Sequence, residues 1–282
     1  MTGVRVHDAR ACVLGEGPIW HSWSGALFWF DIMDRKLLCD DGRAWQFPEH
    51  VSAGGWVTET RLLIASETSL SVFDVKTGLS DHICDLEKNT TLTRSNDGRA
   101  DPWGGFWIGT MGKNAEPDAG AIYRFYQGEL RQLFAPITIS NAICFAPDKS
   151  CAYFTDTPTQ KIMKVLLDDA TGWPNAAPNV FLDLASDDIN PDGAIVTTDG
   201  RLINAQWGAA RLAVYDPSGT MSKTIEMPTD HITCPALGGG FLFATSARQG
   251  LTNAQKKEQP DAGKTFAIAT DLKPQPEYLV IL

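Results

Sequence analysis

The sequence predicts an all-β fold, a six-bladed β-propeller whose four-stranded antiparallel blades surround a central channel. Two observations carry that reading. A short strand unit recurs six times, and the interval between copies is that of one propeller blade. A third, the lack of any sustained amphipathic helical period, argues against helix-rich folds. The six copies read SGALFWFDI, TETRLLIASE, WGGFWIGTM, DKSCAYFTD, DGRLINAQW and GGGFLFATS. Each is a turn, mostly with Gly, Asp or Ser, that runs into an alternating apolar and aromatic strand. Their equivalent positions are Leu27, Leu62, Phe106, Ala152, Leu202 and Phe241, at intervals of 35, 44, 46, 50 and 39 residues. A four-stranded blade repeats every 40–50 residues or so.

The neighbours of each copy complete the blade. A short apolar strand precedes it, as in GPIWH, GGWVT, NAICFAP and GAIVTT. Another follows, as in LSVFD, AIYRF, KIMKVLL and RLAVYD. Period-two alternation between Gly, Asp and Pro turns marks antiparallel strands. The segment VRVHD at 4–8 is expected to close the ring by pairing with the last blade. Only NAQKKEQ at 253–259 offers a short helical pattern. A β-sandwich or two small β domains would not spread six similar units over the chain. No Pro/Ser linker divides it, so one propeller domain is expected over 1–282.

The chain of 282 residues is 43% hydrophobic, enough for a substantial core. Its 34 acidic and 24 basic residues give a net charge of −10, which argues against nucleic acid as a partner. The six cysteines lie apart at 12, 39, 84, 144, 151 and 234 with no CxxC pair. The start, MTGVRVHDAR, lacks the apolar stretch of a secretion signal. No apolar run approaches the roughly 18 residues of a membrane helix. A cytoplasmic protein with reduced thiols and no membrane partner is therefore expected.

The repeat also serves as a ruler. Ten or eleven residues before each anchor lies the entry to the innermost strand. In four units that position carries an oxygen donor in a polar turn: Glu16 in LGEGP, Asn96 in RSNDG, Asn141 in ISNAI and Asp192 in NPDGA. The second unit gives Ser52 and the sixth His231 or a near neighbour. Equivalent positions in a ring of blades lie at one height around the axis. These residues should then meet at one mouth of the channel, with Ser52 and His231 in the same pocket. Two carboxylates and two amides suit a hard divalent cation. Without one, neighbouring carboxylates repel and one tends to protonate. Each turn taken singly is better explained by backbone hydrogen bonding. The shared register is what favours a site. Histidine patterns for zinc and a GxSxG nucleophile elbow are both missing.

Taken together, LGEGPIW, RSNDGRADPWGGFWIGTM, SNAICFAPD, YFTDT, PDGAIV and TSARQGL resemble the sugar lactonases. That family includes gluconolactonase, regucalcin and the luciferin-regenerating enzyme, and the likeness runs from about residue 12 to 270. The resemblance implies that Glu16, Asn141 and Asp192 bind one divalent metal (Ca, Zn, Mn, Mg or Fe(II)). It implies that Arg94 and Asn96 hold a small-molecule sugar lactone, and that Asp192 is the general base. Trp20, Trp56 and Trp207 are candidates for the wall of a sugar pocket. Where some relatives carry an acidic residue soon after GTM, this chain has Lys113 and Asn114, with Glu116 as the candidate replacement.

The expected reaction is hydrolysis of an aldonolactone (of the xylono, arabino, galactono or gluconolactone series) to its aldonic acid. Arg94 cannot be the base, because guanidinium stays protonated. Two other functions fit the same fold: hydrolysis of phosphotriesters or aryl esters, and a non-catalytic metal-binding scaffold.

Overall fold

The computed structural model describes residues 3–282 and folds into six four-stranded antiparallel sheets. The first strands of the blades are Gly15–His21, Val51–Trp56, Thr93–Ala100, Ser140–Phe145, Asn190–Val196 and Ile232–Gly238. Neighbouring first strands pack on one another around the axis, the geometry of a six-bladed propeller. All six anchor positions fall in the second strands: Ala26–Asp31, Arg61–Ser66, Phe106–Gly112, Cys151–Asp156, Leu202–Trp207 and Phe241–Ser246.

The sixth blade joins the two ends of the chain. Its order is Ile232–Gly238, Phe241–Ser246, Thr265–Ala269 and then Arg5–Asp8. The N-terminal strand supplies the outer edge by antiparallel pairing, Arg5 opposite Ala267 and Val6 opposite Phe266. Closure of this kind leaves no open gap in the ring. The NAQKKEQ stretch forms the helix Asn253–Glu258, started by a capping box between Thr252 and Gln255. Among the described residues no helix is long and apolar enough to cross a membrane. All six cysteines are free thiols.

Apolar side chains fill the spaces between blades, with Trp29, Trp56 and Trp107 fully buried. One ion pair lies inside this core. Arg124 Nε donates to Asp101 Oδ2 at 2.6 Å, and both side chains are wholly buried. Asp101 Oδ1 accepts from Trp103 N and Gly105 N, while Arg124 Nη1 donates to Thr171 O. The pair thereby ties the third blade to the long hairpin of the fourth.

The two mouths of the channel differ. The C-terminal segment lies across the mouth where the first strands end. There Gln275 Nε2 donates to Phe145 O and Val196 O at 2.9 Å each, and Val280 N donates to Trp56 O. The opposite mouth, where the first strands begin, stays open and holds the site. Just inside it every first strand carries a register shift. In five blades two residues face one on the second strand, as Gly17 and Pro18 do between the Glu16–Phe30 and Ile19–Phe28 pairs. Such bulges bend a strand and re-aim its side chains.

Candidate active site

A cavity of about 360 Å³ opens at this mouth. Its wall includes Glu16, Arg94, Asn96, Asn141 and Asp192, five residues drawn from four blades and all nearly buried. Glu16, Asn96, Asn141 and Asp192 stand at or beside the bulges of their first strands, and Arg94 two residues before one. Leu14, Met111, Ile139, Pro158 and Trp207 supply apolar surface between them. Of the three candidate tryptophans, only Trp207 belongs to this wall. Trp56 is fully buried between blades, and Trp20 stacks on Phe243 with centroids 5.7 Å apart.

Hydrogen bonds fix the polar side chains relative to one another. Arg94 Nη1 donates to Asn96 Oδ1 at 2.7 Å and to Ser95 O at 2.9 Å. Asn96 Nδ2 then donates to Asn141 Oδ1 at 3.1 Å and to Ser140 O at 2.9 Å. Asn141 Nδ2 is taken up by Thr157 Oγ1 at 3.0 Å, and that hydroxyl donates on to Pro191 O. With its amide nitrogen held by Thr157, Asn141 keeps its carbonyl oxygen on the Asn96 side. The chain Arg94–Asn96–Asn141–Thr157–Pro191 thus locks donor and acceptor directions across three blades.

Electrostatics set these groups apart from ordinary turn residues. Burial, and then the nearby Asp97 charge, push the Glu16 carboxyl up from its ordinary 4.5 to about 8. The Gly17 N–H and the Arg94 charge oppose that shift. Asp192 is pushed well up by burial first, then by Glu16 and Asp97. Burial likewise raises Asp97, and it lowers the Arg94 guanidinium to about 10. Arg99 and Glu277 continue this line of interacting charges toward the far mouth, 4.0 Å apart. Four carboxylates (Glu16, Asp97, Asp192, Glu277) face two guanidiniums (Arg94, Arg99), so full ionisation leaves two negative charges uncompensated. One divalent cation balances that deficit. The oxygen-only donors Glu16, Asn141 and Asp192 are of the type such an ion prefers. Among the described residues no three His, Cys, Asp or Glu side chains cluster as metal ligands, so such a site needs a further oxygen donor of the kind the Asn141 amide offers.

Three residues singled out by sequence do not reach the cavity wall. Ser52 is fully buried, and its hydroxyl donates to Ser95 Oγ at 2.8 Å. In that blade the bulge inserts one residue, between Val51 and Ala53, where the other blades set two against one. His231 lies just before its strand and stacks against Trp207, with centroids 3.9 Å apart and planes at 13°. It braces the cavity wall from outside, with Nδ1 bonded to Gln249 O at 3.0 Å. Glu116 turns into its own loop, accepting from Asn114 N and Nδ2 at 3.0 and 2.9 Å. Its neighbour Lys113 pairs with Glu67 instead.

Sequence reasoning also passed over residues that matter. Thr157 orients Asn141, and its signals in the sequence are the YFTDT motif and a place just beyond the second strand. Asp97 was read as part of a turn, yet it is buried and bonded to Ile143 N at 2.7 Å.

A closed six-bladed ring with a buried acid–amide cluster at one mouth defines a propeller of the enzyme-like kind, with its chemistry on the axis. The chain belongs to the SMP-30/Gluconolactonase/LRE-like family, whose pattern matches residues 14–248. A Rhizobium meliloti (strain 1021) protein is 39% identical over 277 residues, covering 95% of this chain and 94% of its own. L-arabinolactonase of Azospirillum brasilense is 36% identical over 268 residues, with 91% and 88% covered. Among solved structures, a calcium-binding protein, regucalcin, from Agrobacterium tumefaciens str. C58 superposes with a TM-score of 0.97. It is 36% identical and covers 100% of this chain and 98% of its own.

Proposed function

We propose that the chain is a lactonase that hydrolyses a sugar lactone to the open-chain aldonic acid. The observation that carries this reading is the meeting of Glu16, Asn141 and Asp192 beside the Arg94–Asn96 pair in one cavity. The similarity to L-arabinolactonase over most of both chains supports it. The Arg94–Asn96 pair offers hydrogen bonds to ring hydroxyls, which suits a polyhydroxylated ring better than an aryl ester or phosphotriester. Trp207, rigidly backed by His231, offers a flat apolar face of the kind that packs on sugar C–H groups.

Glu16, Asn141 and Asp192 would hold one divalent cation, which when bound supplies Lewis acidity toward the lactone carbonyl. Ca²⁺ is the first ion to test, since the regucalcin neighbour is described as calcium-binding. The chain's own residues account for the rest. Arg94 and Asn96 bind the ring hydroxyls, with the Arg94 fork already oriented by Asn96 and Ser95 O. The Asp192 carboxylate takes a proton from the attacking water. The water oxygen bonds to the carbonyl carbon, and the ring C–O bond breaks. The proton held on Asp192 passes to the departing ring oxygen, leaving a hydroxyl and a carboxylic acid. No serine or cysteine nucleophile is needed, so no acyl-enzyme forms.

Proton release measured across a panel of sugar lactones, beside an aryl ester and an aryl phosphotriester, tests the reading. Turnover of at least one aldonolactone is expected, lost with a chelator and restored by a divalent ion. Asp192→Asn should reduce kcat by about 10²-fold or more, in the range of general-base loss. Turnover confined to the aryl substrates would assign the site to the other hydrolase class. Lactone turnover indifferent to chelation would remove the metal from the scheme.

A further inference from the structure

Asp97 is a buried carboxylate that does not belong to the cavity wall. Its Oδ2 accepts a hydrogen bond at 2.7 Å from Ile143 N, across the junction between the third and fourth blades. Ile143 is the second residue of the bulge that follows Asn141, and the first is Ala142. Ala142 has φ +56°, the left-handed conformation that a residue with a Cβ rarely adopts. In the opposite blade the residue at this point is Gly17, with φ +54°, where the conformation is easy. Glycine holds that conformation without strain, whereas alanine does not.

Comparison with the other blades makes Asp97 distinct. The fifth-blade bulge is braced by the neutral amide of Asn204, which donates to Asp192 O and Gly193 O. The junction of the second and third blades uses Ser52 with Ser95, and that of the fourth and fifth uses Thr157 with Pro191 O. Glu16 also bonds to a bulge N–H, that of Gly17, but within its own strand; at the fourth-blade bulge the buried carboxylate comes from the neighbouring blade, and a charged acceptor makes a stronger bond than a neutral one. The residue so held is next but one to Asn141.

We propose that Asp97 is a positioning residue: by holding Ile143 N it fixes the left-handed Ala142 bulge and so aims the Asn141 carbonyl oxygen into the site. The inference rests on the reading that Glu16, Asn141 and Asp192 bind a divalent cation, and it adds to that reading the part that keeps one donor in place. Groups that orient a ligand from behind characteristically change affinity by about 10–100-fold when removed.

The test is calorimetric titration of the intact protein with Ca²⁺, Mg²⁺, Mn²⁺ and Zn²⁺, each alone. For the tightest ion, Asp97→Ala should weaken binding by about tenfold or more. Asp97→Asn keeps an oxygen that can accept from Ile143 N and should stay within about threefold of wild type, well short of that loss. Ala142→Gly placed in the Asp97→Ala protein should restore most of the lost affinity, because glycine holds the left-handed turn unaided. Asp97→Ala binding like wild type overturns the proposal, and so does Asp97→Asn binding as weakly as Asp97→Ala, which would mean that charge alone matters. If Asp97→Ala does not fold, Asp97→Asn decides: near wild type supports positioning, and a tenfold loss refutes it. A wild-type chain that binds none of the four ions overturns the metal reading itself, and with it this inference.

Discussion

Removing divalent ions should make the stability of this protein fall as pH rises. Glu16 has an ordinary value of 4.5 and is held at about 8 in the folded chain without a cation. Between those two values the folded state keeps a proton that the unfolded state has released. Stability therefore declines with pH across that window, and is greatest below it. At about 1.4 kcal/mol per pH unit, the interval from 4.5 to about 8 sets a ceiling near 5 kcal/mol. Asp192 shifts in the same direction and partly because of Glu16, so the two are not additive. For a chain of this size 1 kcal/mol moves Tm by about 2–4 °C. The chelated protein should thus melt about 10 °C lower at pH 8 than at pH 5, beyond any drift shown by Glu16→Gln. Adding the cation should raise Tm more at pH 8 than at pH 5, because it stabilises the ionised carboxylates. The assay is a set of thermal melts from pH 5 to 9 on both proteins, with chelator and with ion. A chelated wild type whose Tm tracks Glu16→Gln throughout would refute the claim that uncompensated acids meet at the mouth.

Trp207→Ala should raise KM for the preferred lactone by about tenfold with a smaller effect on kcat, since the ring offers packing surface and not reacting atoms. Initial-rate kinetics read the split, and an unchanged KM would exclude Trp207 as a substrate platform. Asp101→Ala should cost about 3–5 kcal/mol in urea unfolding, because it strands the Arg124 charge in the core. Asp101→Leu combined with Arg124→Met should recover much of that loss, and equal instability in both variants would mean that the side-chain volumes, not the charges, matter at this position.

Much of the ring could be read from the chain because each blade must bury two faces of its second strand. That requirement leaves short apolar runs around Leu27, Leu62, Phe106, Ala152, Leu202 and Phe241 that are visible in the sequence. The same regularity brought Glu16, Asn96, Asn141 and Asp192 to one mouth, since residues at one step of a repeat share one height. What the ruler could not express is the bulge. Counting residues treats every first strand as straight, whereas each is broken just where the site lies. Ser52 shows the consequence: it sits at the right count, but a one-residue bulge turns its hydroxyl to Ser95 and away from the cavity. His231 falls one residue before its strand begins and so stands behind Trp207. Asp97 was hidden for the opposite reason, because Asn-Asp-Gly is such a familiar turn that a buried carboxylate inside it leaves no separate mark. The bulge accounts for Ser52 and for the four residues that meet at the axis. Where it points a side chain inward, the residue becomes a donor at the axis; where it points one sideways, the same residue type becomes the brace that holds a neighbour in place.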